Sequence, residues 1–417
     1  MIVTDKSIII TIAVPVFLFL IIVEYFYGLK VGKNNYKLAD TFTSLGLGLI
    51  SRFLPMLNIG FQGAVFVYVG ANLNLKLLPL DNPLTWIVGF LLYDLSYYWM
   101  HRMHHEIKIL WATHSVHHHG EEYNLSTALR QTSTGWLWKW VFYLPMIMVG
   151  VPGEVFVTVA GINLVYQFWV HTKHIGHLGF LEKIFITPMN HGVHHAKNEE
   201  YIDANYGGVF IIWDRMFGTY IAEKPSIKPI YGTVKPLNSW NPFWANFQVF
   251  YQMAQDTIHT KKLSNKIKIW YSSTSWRPED LIENSPAQAK NSIEEKFNPP
   301  LNSQQKIFGM IQIFSVTILA GIVATTQGAQ TYQETAIFGL ILLLSVTLTS
   351  SILQNKINSS NIQFGVSGLL IFIIYLGGIV NVSLLASQFV IVYSAINFLY
   401  LGITIAMQRV TLAEPVN

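Results

Sequence analysis

Apolar residues in this chain run in long, nearly unbroken stretches, without the one-faced periodicity of soluble helices or the alternation of half-buried strands. Ile8 to Tyr27 is apolar for about the length a helix needs to cross a bilayer, interrupted only by Pro15 and, near one end, by Glu24. No small-residue cleavage site follows, so the stretch is expected to be an anchor rather than a secretory signal. Further stretches run from Leu45 to Val69, Leu84 to Trp99, Trp136 to Val149 and Val155 to Val170. Four more follow: Ile307 to Ala324, Ala336 to Leu353, Ile362 to Val380 and Leu384 to Met407. The one from Trp136 is only about 21 Å long as a helix, so with Pro152 and Gly153 it is expected to form a hairpin that does not fully span. There is no internal repeat and no strand-rich region. The expected fold is all-α: a polytopic membrane protein with about eight to nine membrane helices and a cytoplasmic, histidine-rich cap.

Composition supports that pattern. Of the 417 residues, 51% are hydrophobic and 12% charged, against about 25% charged in soluble domains. Cysteine is absent, which excludes disulfides, thiolate nucleophiles, iron–sulfur clusters and cysteine-type zinc sites. Any metal must be held by nitrogen or oxygen. The net charge of +4 is too small and dispersed for a nucleic-acid partner, and none is expected. Lys30, Lys33, Lys37, Arg102, Lys108, Arg130, Lys356 and Arg409 all fall on one side if the N-terminus is outside, while the opposite loops carry only Lys76. That side is the cytoplasm. The hydrophilic segment from Thr172 to Lys306, with 15 Lys or Arg and 12 Asp or Glu, belongs there too. Within it, Phe243 to Trp270 mixes aromatics with Lys261, Lys262, Lys266 and Lys268, and reads as a helix on the headgroups or a plain solvated helix. Pro278 to Gln305 reads as a mobile linker. The expected divisions are N-terminal membrane helices at 1–83, a histidine-bearing domain at 84–222, an interfacial segment and linker at 223–305, and C-terminal membrane helices at 306–417.

Thirteen of the 14 histidines lie between His101 and His195. They repeat one geometry: His101, His104 and His105; His114, His117, His118 and His119; His171 and His174; His191, His194 and His195. Positions three and four apart share a helix face, so each cluster can aim two or three imidazoles at one point. A metal takes about three to six ligands, and at least eight imidazoles are on offer, so two metals fit better than one. Zinc, copper, nickel and iron all accept imidazole, and spacing leaves the choice open. His104, His119, His174 and His177 are candidates for surface or supporting roles, and His259 for a structural one. Asp94 lies seven residues before His101, inside an apolar stretch where an acid is costly unless paired. It would either accept the outer N–H of a liganding histidine or pair with Arg102 or a tyrosine. Glu106 is a candidate ligand, proton shuttle or cofactor contact, or an ordinary surface acid. Asn163, Asp203, Asn205 and Tyr206 are further supporting candidates. Tyr97, Tyr98 and Trp99 read as interface belt.

These residues carry a resemblance. D-L-S-Y-Y-W-M-H-R-M-H-H-E, then H-S-V-H-H, then N-H-G-V-H-H with N-Y-G-G-V-F-I-I-W-D-R-M-F-G-T-Y, resembles the integral-membrane fatty acid hydroxylase and sterol desaturase superfamily over about Trp86 to Tyr220. Glu121 to Gln131 and Leu164 to Thr172 are most similar to its alkylglycerol monooxygenase group. The resemblance implies a catalytic cap holding a non-haem di-iron pair that activates O2. The implied ligands are His101, His105, His114, His117, His118, His171, His191, His194 and His195, with a role in activity for Glu106. His104, directly before His105, could compete with it as ligand, and His174 and His177 depart from the group's pattern. The resemblance further implies a lipid substrate from the bilayer, tetrahydrobiopterin as reductant, and hydroxylation of the carbon beside an ether oxygen, giving a hemiacetal that falls apart to aldehyde and glycerol. No separate pterin fingerprint is visible. Two other readings compete: a hydroxylase or desaturase of a sterol, fatty acid or carotenoid with the same site, and a histidine-rich metal transporter.

Overall fold

The computed structural model describes residues 3–56, 61–282, 293–326, 332–355, 365 and 384–413. The secondary structure of the described residues is helical. Among the described residues there is no strand, only the isolated bridges Ile107 with Ser273, Phe185 with Phe210, and Ala196 with Tyr231. Two compact units divide the chain: Met1–Tyr36 with Ile59–Leu237 and Asn246–Lys296, and Lys37–Asn58 with Asn238–Ala245 and Phe297–Asn417.

In the first unit, α1 (Val3–Lys30) packs along a later helix, as described below. Its segment Ile12–Lys30 is the one helix among the described residues that is long and apolar enough, by length and composition, to cross a membrane. The second unit contains α2 (Leu38–Met56), and the first contains α3 (Phe61–Asn72). The apolar stretch from Leu45 to Val69 is thus divided between two helices in different units. Next comes α4 (Pro83–Glu106), started by Pro83 and capped by the Asn82 side chain, which accepts the Leu84 N–H. Ile107 is extended and breaks the helix, and α5 (Lys108–His118) follows at once. The expected helix from Trp136 is 3₁₀ turns at Gly135–Leu137 and Lys139–Tyr143, then the six-residue α6 (Leu144–Val149). Pro145 opens α6 and Gly150, at φ 106°, closes it, so this stretch is too short to span.

Helix α7 (Gly153–Trp169) lies against both α4 and α1. Phe17 of α1 stacks on Phe168 of α7 at 3.9 Å, and Val151, Val155 and Val159 form a core with Met146 and Tyr143. The short α8 (Pro188–His194) and α9 (Ile212–Met216) follow, then α10 (Pro242–His259), α11 (Leu263–Tyr271) and α12 (Glu279–Ile282). Ala112, Met253 and Ile269 pack α5 against α10 and α11.

In the second unit, α2 packs with α13 (Ser303–Thr326) and α14 (Tyr332–Ile352) around Phe42, Trp240, Val316 and Val346. Helix α15 (Leu384–Ala413) joins α13 through Phe308 and Leu401, and through Gln312, which bonds Tyr393 and Asn397. The expected span from Ile362 to Val380 lies outside the described residues, as does the central part of the expected linker.

Candidate metal centre

Every predicted ligand reaches the site from a helix or the turn that ends one. The last two turns of α4 carry His101 and His105 on one face. Helix α5 carries His114 and His118 four apart, with His117 beside them. His171 sits in the turn after α7. Helix α8 begins at Pro188 with Thr187 accepting the Asn190 N–H, and it presents His191, His194 and, at its cap, His195. These nine histidines converge in two groups. His101, His105, His114, His118 and His194 form one; His117, His171, His191 and His195 form the other; within each, one ring nitrogen per residue lies within 4.8 Å of all the rest. Helices α5 and α8 feed both.

Two imidazoles on one ion at about 2.0–2.1 Å hold their nitrogens about 2.9 Å apart at a right angle and about 3.4 Å apart at the tetrahedral angle. The facing Nε2 atoms match: His101 to His114 2.9 Å, His114 to His118 3.2 Å, His117 to His171 3.3 Å, His171 to His191 3.0 Å and His191 to His195 3.1 Å. The outer nitrogens fix the tautomers. Nδ1 donates to a backbone carbonyl in His101 (Tyr206, 2.8 Å), His117 (Arg130, 3.0 Å), His171 (Gln167, 2.8 Å) and His194 (Ala204, 2.8 Å). A carbonyl can only accept, so each of these Nε2 atoms is a bare lone pair pointing inward. The facing pair His117 and His171 is therefore two lone pairs in contact, an arrangement that a shared cation makes favourable. Nε2 of His105 and of His194 is buried without a hydrogen-bond partner, as a metal ligand's would be.

Burial, reinforced by the neighbouring imidazoles, pushes the protonation of His101, His114, His117, His118, His191, His194 and His195 well below 6.5. For His171 burial lowers it to about 4. At neutral pH all eight are uncharged ligands. The donor set, all nitrogen and closed to water, fits an imidazole-accepting transition metal in each group.

The remaining candidates stand outside the two groups. His104 turns away: its Nδ1 donates to the Met100 carbonyl at 2.6 Å, and its ring lies by Phe142. His119 is buried beyond the end of α5, and His174 lies edge-on to Tyr27 of α1. His177 is exposed and pairs with Glu182 at 2.5 Å. His259 is an exposed helix-end residue bonded to the Gln255 carbonyl. Glu106 makes an ion pair with Arg102 at 2.7 Å, and Arg102 also donates to the Tyr98 hydroxyl. Asp203, with φ 60°, places its carboxylate 3.6 Å from Nδ1 of His105. Asn205, with φ 58°, bonds the backbones of Asn190 and Ile221 and so ties α8 to the following strap. The aromatic ring of Tyr97 lies against His101, and Tyr98 and Trp99 pack on Phe217.

Asp94 takes neither partner expected of it. Its carboxylate accepts from Asn163 (2.8 Å), the Val209 and Phe210 N–H groups (2.8 and 3.0 Å) and the Trp213 indole (2.9 Å). The link to a histidine is indirect: Asn163 is bonded by Gln167, whose carbonyl holds His171. The reason is steric. Gly208 lets the 206–210 loop close directly onto the acid, since a Cβ there would stand 2.8 Å from Asp94 Oδ1. Sequence reasoning passed over Asp214, a buried acid accepting from the Tyr206 and Gly207 N–H groups at 2.6 and 2.8 Å and from Thr219 at 2.8 Å. It holds the peptide whose carbonyl orients His101. Its signal was a lone acid in the apolar run from Val209 to Met216. The carbonyls of Arg130, Gln167, Ala204 and Tyr206 had no signal, because any residue supplies one.

Residues 86–219, which include all nine converging histidines, match the fatty acid hydroxylase family. Similarity extends past them. Alkylglycerol monooxygenase of Danio rerio is 40% identical over 267 residues, 64% of this chain and 59% of the relative. Alkylglycerol monooxygenase of Homo sapiens is 39% identical over the same shares. Ornithine lipid hydroxylase OlsE of Rhizobium tropici is 29% identical over 136 residues, 32% of this chain and 41% of the relative. The chain thus spans less than two thirds of the alkylglycerol monooxygenases it matches. No solved structure matches it.

Proposed function

We propose that this chain is a multi-pass membrane monooxygenase that holds two iron ions in its two histidine groups and hydroxylates an alkyl C–H bond of a lipid with O2. The carrying observation is the convergence of nine imidazoles, with facing Nε2 atoms spaced as ligands of shared ions. An unactivated C–H bond offers neither an acidic proton nor a leaving group, and side chains alone cannot attack it. When bound, iron supplies that oxidising power. The protein's share is to gather the nine rings, fix the tautomers of His101, His117, His171 and His194, and keep the site dry. Ether lipids are the proposed substrate class, with cleavage to aldehyde and glycerol and tetrahydrobiopterin as electron donor; the support is 39–40% identity to alkylglycerol monooxygenases. The one-sided distribution of basic residues supports several spans with the site on the cytoplasmic side, at a bacterial inner membrane or the endoplasmic reticulum. Glu106, half-buried at the end of α4 in its pair with Arg102, is the proposed contact for the donor or for a proton from water.

The test is metal analysis of the purified protein together with O2-dependent turnover of an alkylglycerol, with and without reduced pterin. Iron near two per chain and fatty aldehyde released only with O2 and pterin are expected. Aldehyde-free oxidation of a sterol or fatty acid would overturn the ether-lipid reading, and metal transport into vesicles without O2 consumption would overturn the enzyme.

A further inference from the structure

Imidazole ligands bring no negative charge, and neither histidine group contains a carboxylate. Two divalent ions bound there would place four positive charges in a buried region, where uncompensated charge is costly. Three buried acids lie one or two hydrogen-bonded residues outside the site. Asp94 is joined to His171 through Asn163 and Gln167. Asp214 is joined to His101 through the Tyr206 peptide. Glu24, near the end of α1, accepts the hydroxyl of Thr172, the residue after His171, together with the Tyr36 hydroxyl and the Leu125 N–H at 2.8 Å. All three are buried. Their bonds come from amides, hydroxyls and an indole, all neutral groups. The nearby guanidinium of Arg102 is matched by Glu106. A buried carboxylate held only by neutral donors keeps its negative charge unspent.

We propose that Asp94, Asp214 and Glu24 are the counter-charges of the histidine site, so that the N-terminal helix α1, outside the residues that match the fatty acid hydroxylase family, is part of the metal-binding machinery. This rests on the metal reading above. The three are positioning residues: their field stabilises the ions, and their hydrogen bonds hold His101 and His171 in register.

Glu24→Gln is the diagnostic change. The Tyr36 and Thr172 hydroxyls can each donate or accept, so the amide fits the same hydrogen bonds while the charge is lost. Full-length protein in detergent is titrated with Fe2+ against a chelator, its midpoint potential is measured, and its metal-free form is melted. Glu24→Gln is expected to bind Fe2+ about tenfold more weakly. It should also favour Fe2+ over Fe3+ by a further factor of about ten, a rise of about 59 mV for one electron. The metal-free melt should be unchanged or higher. Tyr36→Phe, which removes a hydrogen bond and keeps the charge, is expected to leave the potential where it was, and Glu24→Asp likewise. An unchanged affinity and potential in Glu24→Gln, or an equal shift in Tyr36→Phe, would overturn the counter-charge role. A wild-type protein that binds no iron would remove the metal reading as well, and is told apart by that first titration.

Discussion

Gly208 sits in close contact with Asp94, and Gly208→Ala probes that joint with a single methyl. Gly208 has no left-handed backbone to forbid a side chain, so the obstacle is purely steric. The new Cβ would stand 2.8 Å from Asp94 Oδ1, 2.8 Å from Tyr97 Cδ1 and 3.2 Å from Asn163 Nδ2. None of these yields cheaply: the carboxylate is pinned by four donors, and the Tyr97 ring is already against His101 at 5.4 Å. Overpacking costs about 1–3 kcal/mol. If the loop instead lifts away, it strains or loses the Val209 and Phe210 bonds to a charged acceptor, each worth about 1.5–3 kcal/mol. A total of about 2–4 kcal/mol is expected, with the Tyr206 carbonyl displaced from His101. Thermal unfolding of the metal-free protein and iron stoichiometry measure the two effects. G208A with wild-type melting and a full complement of iron would refute the claim that this contact seats the loop.

Single replacements in the two groups should separate the ions: His118→Ala and His191→Ala are each expected to lower bound iron toward one per chain, and full stoichiometry in either would remove that residue from the ligand set. His177→Ala, at an exposed ring paired only with Glu182, is expected to change neither iron content nor turnover. Burial pushes the Asp214 carboxyl up to about 6 from its ordinary 3.8. The folded metal-free protein therefore holds this proton more tightly than the unfolded chain does. Its contribution is fully present below about pH 4 and is lost as pH rises through about 6, by about 3 kcal/mol. Asp214→Asn should flatten that fall in denaturation curves measured across the range, and an unaltered slope would refute the assignment.

The histidine clusters were legible because a helix imposes its own geometry: His101 with His105, and His114 with His118, share a face wherever the helix goes. Asp94 was legible only as an anomaly. Its position in an apolar stretch showed that it needed partners, but two of those partners are backbone N–H groups more than a hundred residues away, which no side-chain pattern encodes. The stretch from Leu45 to Val69 concealed a division because hydropathy averages over a window, and the helices Leu38–Met56 and Phe61–Asn72 are both apolar. Glu24 carried no visible signal beyond being an acid near the end of a long apolar stretch.

By itself the sequence determined the all-helical character, through its long apolar runs, and the four histidine clusters, through residue chemistry; the choice of nine ligand candidates among them is what the family resemblance implies. Only the tertiary structure decided how the nine divide. Adjacent residues of α5 and α8 serve different groups, His117 apart from His118 and His194 apart from His195, because consecutive side chains on a helix point about a quarter-turn apart. It also decided which nitrogen of each of four rings faces inward, through carbonyls contributed by distant turns. Those bonds depend on where the backbone passes, and folding alone settles that.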